Sequence, residues 1–211
     1  MFQEMINGSI AVITRPSVAT FEEHERDNLG WALIYSLIAG LINGLLSALG
    51  SLIFPAAAMI PGGMDPETAG AVAATTGGTV IGTLIGVFIF TPIFLLIAWG
   101  ITYGLGRAFG GTGSFGELAW GLSLFGAPLA IVSGIFSLIP FVGFILVLAL
   151  LGYNFYLTYL AIQSGMNLEP RKALYVILIQ LAIGLAIFAC ICVLFGAILA
   201  AMLGASGSFA P

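Results

Sequence analysis

This chain has little charge of either sign. Only 7% of its 211 residues are charged, five Lys or Arg and nine Asp or Glu, whereas soluble domains contain about 25%. It has a single histidine and two cysteines. So few cations exclude a polybasic surface for nucleic acid, and so few His and Cys supply no converging ligands for a metal ion. The sequence therefore predicts no nucleic-acid partner, no metal and no cofactor.

The parts of the chain without charge are long hydrophobic runs. Hydrophobic residues make up 60% of the chain, and each uncharged run is long enough to cross a bilayer, since a hydrocarbon core of about 30 Å needs roughly 20 helical residues. We therefore expect an all-α, polytopic membrane bundle. The uncharged runs cover residues 28–64, 68–106, 118–168 and 173–211.

Two of the runs are too long for one span. As a single helix, 118–168 would reach roughly 75 Å, so we expect a turn at Pro140 and Gly143. A loop at 56–64 precedes a helix that starts with Asp65 as N-cap and Pro66 in the first position. That helix would reach on the order of 60 Å by residue 106, so it must project, tilt or break, near Gly77 and Gly78 or at Pro92. Five spans are predicted, at about 29–54, 78–105, 117–139, 141–163 and 173–202.

An odd number of spans puts the two termini on opposite faces. With five spans all the cations lie on one side, and the positive-inside rule makes that side cytoplasmic. The N-terminus is then cytoplasmic and the C-terminus outside. The cations are Arg15, Arg26, Arg107, Arg171 and Lys172.

The expected organisation is a cytoplasmic segment at 1–28, a membrane domain at 29–203 and a flexible tail at 204–211. Residues 16–27 are predicted to form a juxtamembrane helix, because Thr20 with Glu23 matches a capping box and Phe21 can touch the membrane surface. We expect the cytoplasmic face to contact a partner or lipid through Arg15, Phe21, Arg107, Arg171 and Lys172.

No Asp, Glu, Lys, Arg or His lies in the middle of a span, which disfavours proton relays, voltage sensors and most ion-coupled transporters. Pro92 and Pro128 each free a backbone carbonyl one turn earlier, so they mark either packing kinks or a binding site in broken helices. Asn154 and Thr158 lie one turn apart in the fourth span. They are predicted either to hydrogen-bond a neighbouring helix or to line a lipid or small-molecule groove.

Small residues recur at a spacing of four, which keeps them on one helical face and lets two backbones approach closely. We interpret them as helix-packing positions, within one bundle or between copies of the chain. They are Gly40 and Gly44, then Gly78, Gly82 and Gly86, and finally Gly196 with Ala200.

Catalysis is not expected. The only histidine, His24, lies outside the spans, and no serine has an acid and a base in a nucleophilic arrangement. Nucleotide-binding signatures are absent, since Gly110, Gly111 and Gly113 lack the strand context that such a fingerprint requires. The sequence therefore predicts that the protein is not an enzyme.

Several short motifs resemble the Yip (Ypt-interacting protein) family of five-span membrane proteins. One begins with Gly-Gly-Thr-Gly-Ser-Phe-Gly-Glu-Leu at 110–118 and continues through Gly126 and Pro128 to Leu-Ile-Pro-Phe-Val-Gly at 138–143. Another is the segment 156–162 followed by Leu-Glu-Pro-Arg-Lys-Ala at 168–173. Arg15-Pro16 followed by Phe21 is similar to the family's entry into its first span.

The resemblance implies a cytoplasmic N-terminus, five spans and a non-enzymatic role in organising membranes or, in eukaryotic members, in recruiting small GTPases during membrane trafficking. The chain lacks their long N-terminal region and Asp-Leu-Tyr-Gly-Pro motif, and has Phe125-Gly126-Ala127 where a Gly-Tyr pair is expected. These departures argue against a GTPase partner.

We therefore expect a short prokaryotic-type member in the cytoplasmic membrane. It would act as a scaffold that contacts lipids and either a protein partner or a second copy. The alternative is a transporter or channel for a small molecule, ion or lipid that uses the proline-kinked helices.

Overall fold

The structure is a computed structural model that describes residues 1–53, 66–139 and 142–207. The predicted loop at 56–64, the Asp65 cap, the Pro140 turn and the last residues of the predicted tail, 208–211, lie outside the described residues. Within the described ranges every regular element is an α-helix, which confirms the all-α prediction. The helices are α1 Phe2–Thr14, α2 Val18–Glu23, α3 Leu29–Ile53, α4 Pro66–Ala108, α5 Phe115–Ser137, α6 Val142–Met166 and α7 Pro170–Gly207.

Five of these helices are long and apolar enough to cross a membrane, as the sequence predicted. Pro170 opens α7 as expected, because its missing N–H costs nothing in the first helical turn. The helix continues to Gly207, past the residue at which the tail was expected to begin. The candidate spans are Leu29–Gly50, Ile85–Ala108, Phe115–Ser137, Gly143–Met166 and Pro170–Ala197.

Helix α4 is one continuous element of 43 residues. The sequence allowed it to project, tilt or break, and no break occurs at Gly77, Gly78 or Pro92. A proline removes only one backbone donor, and the hydrogen bonds on either side keep the helix intact. At about 1.5 Å per residue the helix is on the order of 65 Å long. Its candidate span among the described residues is Ile85–Ala108.

Helix α5 is the centre of the bundle. Of its candidate span 61% is buried, against 11% for the spans of α4 and of α7. It packs most extensively against α3 and α6, while α4 and α7 lie further out. Most of the apolar surface of α4 and α7 is therefore left to face lipid or another protein.

The starts of α3, α5 and α7 and the ends of α4 and α6 lie at the same end of the bundle. Here Thr112 N–H donates to the Met166 carbonyl at 3.0 Å, and the Trp120 indole donates to the His24 carbonyl at 2.9 Å. We call this the charged end. It comprises α1, α2, the residues 15–17 that join them, the connections at 24–28, 109–114 and 167–169, and the adjoining turns of the spans, which hold Arg107, Arg171 and Lys172. The largest buried side chains also cluster toward it, among them Met5, Phe21, Trp120, Phe125 and Met166.

The N-terminal segment differs from the prediction. The helix α2 is capped by Ser17, whose hydroxyl accepts from Thr20 N–H at 3.1 Å, so Thr20 is not the N-cap. The helix ends at Glu23 instead of continuing to 27. A further helix, α1, was not predicted. It packs against α5 through Met5 and Val12, both fully buried.

The glycine-rich connection at 109–114 is a close-packed turn. Gly110 has φ +90°, which only glycine adopts readily. Ser114 then caps α5 in a complete capping box, accepting from Glu117 N–H at 3.1 Å while its own N–H donates to the Glu117 carboxylate at 2.7 Å. The connection thereby fixes the end of α4 and the start of α5 against the end of α6.

Candidate functional site

A cavity of about 330 Å³ lies between the spans, at the lower end of the roughly 300–1,000 Å³ range of ligand pockets. Among the described residues, no Asp, Glu, Lys, Arg or His lines it. Its walls are mostly apolar, with hydroxyl and amide groups on several sides. Every span contributes to the lining, for example through Ser36 (α3), Thr102 (α4), Gly126 (α5), Asn154 (α6) and Gln180 (α7).

Two of the polar groups form a relay across the cavity wall. Gln180 Nε2 donates to Thr102 Oγ1 at 2.9 Å, and that hydroxyl donates to the Ala98 carbonyl at 2.8 Å. The relay ties α7 to α4. It leaves the side-chain carbonyl of Gln180 without a donor among the described residues, so this oxygen remains able to accept a hydrogen bond.

Asn154 and Ser36 are different, because their side chains make no hydrogen bond to any residue in the described ranges. The Thr158 hydroxyl donates at 2.8 Å to the backbone carbonyl of Asn154, not to its side chain. Fully enclosed polar side-chain atoms in the described part of the chain all have partners. The Asn154 amide and the Ser36 hydroxyl are therefore open to the cavity, although Ser36 is only 9% exposed.

Two smaller cavities adjoin the first, and Asn154 lines all of them. One of about 270 Å³ lies between α6 and α7 and shares Thr158 and Gln180 with the central cavity. It extends to Gly184 and to Leu185, whose side chain is 60% exposed on the outer surface. The other, of about 290 Å³, lies between α5 and α6. The central cavity is thus continued sideways toward the lipid-facing surface.

The predicted groove residues lie around this space. Asn154 and Thr158 line the central cavity directly, and Pro92 and Pro128 lie inside α4 and α5 next to the lining residues Thr91 and Ala127. The structure thus places Asn154 and Thr158 on the cavity wall and the two prolines only beside lining residues of their own helices. Whether the prolines serve packing or a ligand remains a prediction.

Sequence reasoning missed several polar residues of the spans. Gln180, Thr102 and Ser36 line the cavity, and Asn43 donates through Nδ2 to the Ala130 carbonyl, linking α3 to α5. The signal was present, since an amide inside an uncharged run is unfavourable in lipid unless it has a partner. The sequence-based prediction used this signal only in the fourth span, where it identified Asn154.

The predicted helix-packing positions fall into different surroundings. At Gly40 an added Cβ would meet Val87 and Thr91 of α4 at 3.5 and 3.6 Å, and Gly44 is buried. At Gly82 and Gly196 an added Cβ would meet nothing within 4 Å, and at Gly86 it would meet only Phe90 of its own helix. The surroundings of Gly78 and the side chain of Ala200 lie outside the described residues. The packing role of all of these positions stays a prediction.

All five predicted contact residues lie at the charged end, and four of them are cations. Arg107 Nη1 donates to the Gly111 carbonyl at 3.2 Å, and Lys172 lies 3.8 Å from Glu169. Arg15 and Arg171 are exposed and make no ion pair within the described ranges. Phe21 was expected at the membrane surface, and this is corrected. It is 2% exposed and packs edge-to-face on Phe125, with ring centroids 6.1 Å apart, because burial in the core removes its apolar ring from water.

An acidic group at the charged end has an unusual titration. The pKa of Glu25 is raised from 4.5 to about 7, mainly because burial disfavours the ionised carboxyl and also because of the negative charges of Glu117 and Glu22. Glu25 lies in the connection between α2 and α3, outside the spans. The carboxyl is half-buried, and its ionised form is disfavoured where it lies.

Replacing Glu25 with glutamine is expected to stabilise the protein at about pH 8 and to have no effect near pH 4.5. Between about pH 4.5 and 7, Glu25 of the folded chain holds a proton that the unfolded chain has lost. The stability of the wild type therefore falls as the pH rises through about 7. Solvent screening of the half-buried side chain limits the gain to about 1 kcal/mol. Melting temperatures of detergent-solubilised E25Q and wild type across this range test it, with E23Q as control. A difference that does not grow with pH would contradict the expectation.

The five apolar spans and the core at the charged end can be compared with known proteins. The family model of the Yip1 domain matches residues 10–191. The chain belongs to the Yip1 family. The match covers all of the candidate spans except the last residues of the fifth, so the family assignment applies to the bundle as a whole. No curated protein and no solved structure matches the chain.

Proposed function

We propose that this Yip1-family protein is a non-enzymatic membrane scaffold whose charged end binds a cytoplasmic protein. The proposal rests on one observation, that hydrogen bonds hold several segments of the chain together at the charged end. Separate segments of the chain are fixed there by hydrogen bonds from Trp120 to His24, from Thr112 to Met166 and from Tyr153 to Ile13, the last at 2.5 Å. The result is a rigid surface, which lowers the entropic cost of binding a partner.

The charges on this surface are only partly neutralised. The ion pairs of the described residues are long or exposed, as with Arg26 and Glu4 at 3.9 Å, and such pairs contribute little to stability. Arg15 and Arg171 remain free to pair with acidic groups of another molecule. Charged surfaces of this kind set the rate and specificity of association more than its total free energy.

The orientation of the protein in the membrane is part of the same proposal. The positive-inside rule places the charged end in the cytoplasm and supports a partner from that compartment. We propose a prokaryotic cytoplasmic membrane because the chain has Phe125-Gly126-Ala127 where the Gly-Tyr pair of eukaryotic members is expected. A second copy of the chain, packed through the exposed faces of α4 and α7, is compatible with this arrangement because these faces also include residues further along the spans, such as Phe94 and Phe195.

Site-specific crosslinking in intact cells tests the scaffold. A photoreactive amino acid at Glu169, two residues before Arg171, is expected to give a discrete adduct with a cytoplasmic protein. R171E is expected to weaken the adduct about tenfold, since it turns an attraction of up to about 1 kcal/mol into a repulsion, and R171K is expected to retain it. The same probe at Phe195, on the outer face of α7, serves as control.

Three results would contradict the proposal. They are the absence of any adduct at Glu169, an adduct insensitive to R171E, and an adduct with a protein from the opposite side of the membrane. An adduct of twice the mass of the chain would assign the surface to a second copy.

The transport alternative finds less support. The central cavity ends toward the charged end at Leu122 and Phe125, which are 8% and 2% exposed and belong to the core. A solute could pass only if this core opened. Flux of ions, small solutes and lipids in reconstituted liposomes at the level of empty vesicles is therefore expected.

A further inference from the structure

We infer that the cavity between the spans binds the uncharged polar end of a membrane-soluble amphiphile, such as a long-chain alcohol or amide. This inference is separate from the scaffold proposal, because it concerns the middle of the bundle and not its charged end. It rests on three features of the cavity: polar groups without partners, the absence of charge, and a sideways opening.

The unpartnered groups define what the ligand must offer. Asn154 presents an amide with two donors and an acceptor, Ser36 a hydroxyl, and Gln180 a carbonyl oxygen. Within a membrane such groups are unfavourable unless they find a hydrogen-bonding partner. A hydroxyl or amide of the ligand can both donate and accept, and so can satisfy them.

The absence of charge limits the ligand further. A phosphate or carboxylate would enter an uncharged, mostly apolar space with no cation to pair with, and burying an unpaired ion costs far more than a few hydrogen bonds return. Leu95, Trp99 and Phe125 offer apolar walls for the adjoining part of the molecule. The cavity therefore selects an uncharged polar group over an ionised one.

The sideways opening supplies the route for an apolar chain. The cavity between α6 and α7 continues from Asn154 and Thr158 to Gly184 and Leu185 at the outer surface. At Gly184 an added Cβ would meet nothing within 4 Å. The chain of a bound amphiphile can therefore leave between these helices and continue into the bilayer, which favours an amphiphile over a small water-soluble molecule.

Photolabelling with two probes of equal chain length tests this inference on the full-length protein in lipid nanodiscs. The probes are diazirine derivatives of hexadecanol and of palmitate, the second ionised at about pH 8. The alcohol is expected to label peptides of α6 and α7 that line the cavities, and the carboxylate only outward-facing positions. Equal labelling of the cavity peptides by both probes, or by neither, would overturn the inference.

Asn154→Leu is the first variant. It keeps the branched shape and the number of non-hydrogen atoms and removes the amide, and is expected to lower cavity labelling by the alcohol about tenfold, the size of effect that one lost hydrogen bond produces. Y156F, which removes a hydroxyl from the exposed side of the same helix, is expected to label like wild type.

The melting temperature of N154L without probe separates ligand binding from structural support. Since the amide has no partner among the described residues, N154L is expected to melt at the same temperature as wild type or higher. A lower melting temperature would identify Asn154 as part of the packing between helices and would overturn the inference.

Gly184→Leu is the second variant, and it leaves the polar groups untouched. Its side chain would fill the sideways opening and is expected to abolish cavity labelling by the alcohol. Gly152→Leu is the matched control, since Gly152 is exposed on α6, has nothing within 4 Å of an added Cβ and lines none of these cavities. Labelling of G184L at the level of G152L would show that no chain occupies the opening.

Discussion

Replacing Gly113 with alanine is expected to leave almost no folded protein in the membrane. A Cβ at this position would overlap the carbonyl oxygen of Gly165 and would lie 3.0 Å from Cα of Met166, and both of these are backbone atoms. They cannot move aside as a side-chain tip can. Because the neighbouring Thr112 N–H donates to the Met166 carbonyl, the connection and the end of α6 would have to separate. We expect a loss of more than about 4 kcal/mol.

The measurement is the yield of monodisperse protein after mild detergent extraction. Gly104→Ala is the control, since Gly104 lies near the end of α4 with nothing within 4 Å of an added Cβ. There alanine is expected to stabilise the helix by about 0.5–1 kcal/mol. A G113A protein that extracts and melts like wild type would mean that the glycine-rich connection does not approach α6 this closely.

Trp120→Ala is expected to be the next most damaging substitution, at about 3–5 kcal/mol for the lost ring. Trp120 is 1% exposed in the core between the N-terminal segment and α5. Its indole N–H also donates to the His24 carbonyl, which removal of the ring would leave without this donor. The end of α2 should then detach from the bundle.

Limited proteolysis combined with thermal melting distinguishes the loss of the buried ring from the loss of the hydrogen bond to His24. We expect W120A to lower the melting temperature and to expose residues 22–27 to cleavage. W120F retains most of the apolar ring and loses only the donor, so a smaller loss of about 1–3 kcal/mol is expected. If cleavage in this segment were the same in W120A and wild type, the hydrogen bond to His24 would not be what holds α2 in place.

The spans could be predicted from the sequence because their signal is local. A helix in lipid must be long, apolar and free of charge, and each of these properties can be counted along the chain. Helix α1 lacks such a signal. Phe2 and Ile10 on its outer side are 43% and 58% exposed, while Met5 and Val12 are buried, so apolar residues occur on both sides and only tertiary packing distinguishes them.

The cavity could be predicted only in part for a related reason. Asn154 and Thr158 stood out because they lie one turn apart on one helix. Gln180 and Thr102 lie on different spans, separated by 78 positions in the chain, and a single sequence does not tell how each helix is rotated about its axis. Ser17 was missed for a different, local reason: Ser and Thr are both favourable N-cap residues, and the capping-box match of Thr20 with Glu23 indicated the wrong one of the two.

The concentration of the core at one end also makes the cohesion of the bundle unequal along its length. The helices are joined most firmly where Trp120, Phe125 and Met166 pack, and the outer half of α7 is exposed throughout its described side chains. Backbone amides near Trp120, Phe125 and Met166 should exchange with deuterium most slowly, and those in the outer half of α7 should exchange faster. The half of the bundle away from the charged end can therefore change its cross-sectional area when the lateral pressure in the surrounding leaflet changes. The half at the charged end keeps its shape.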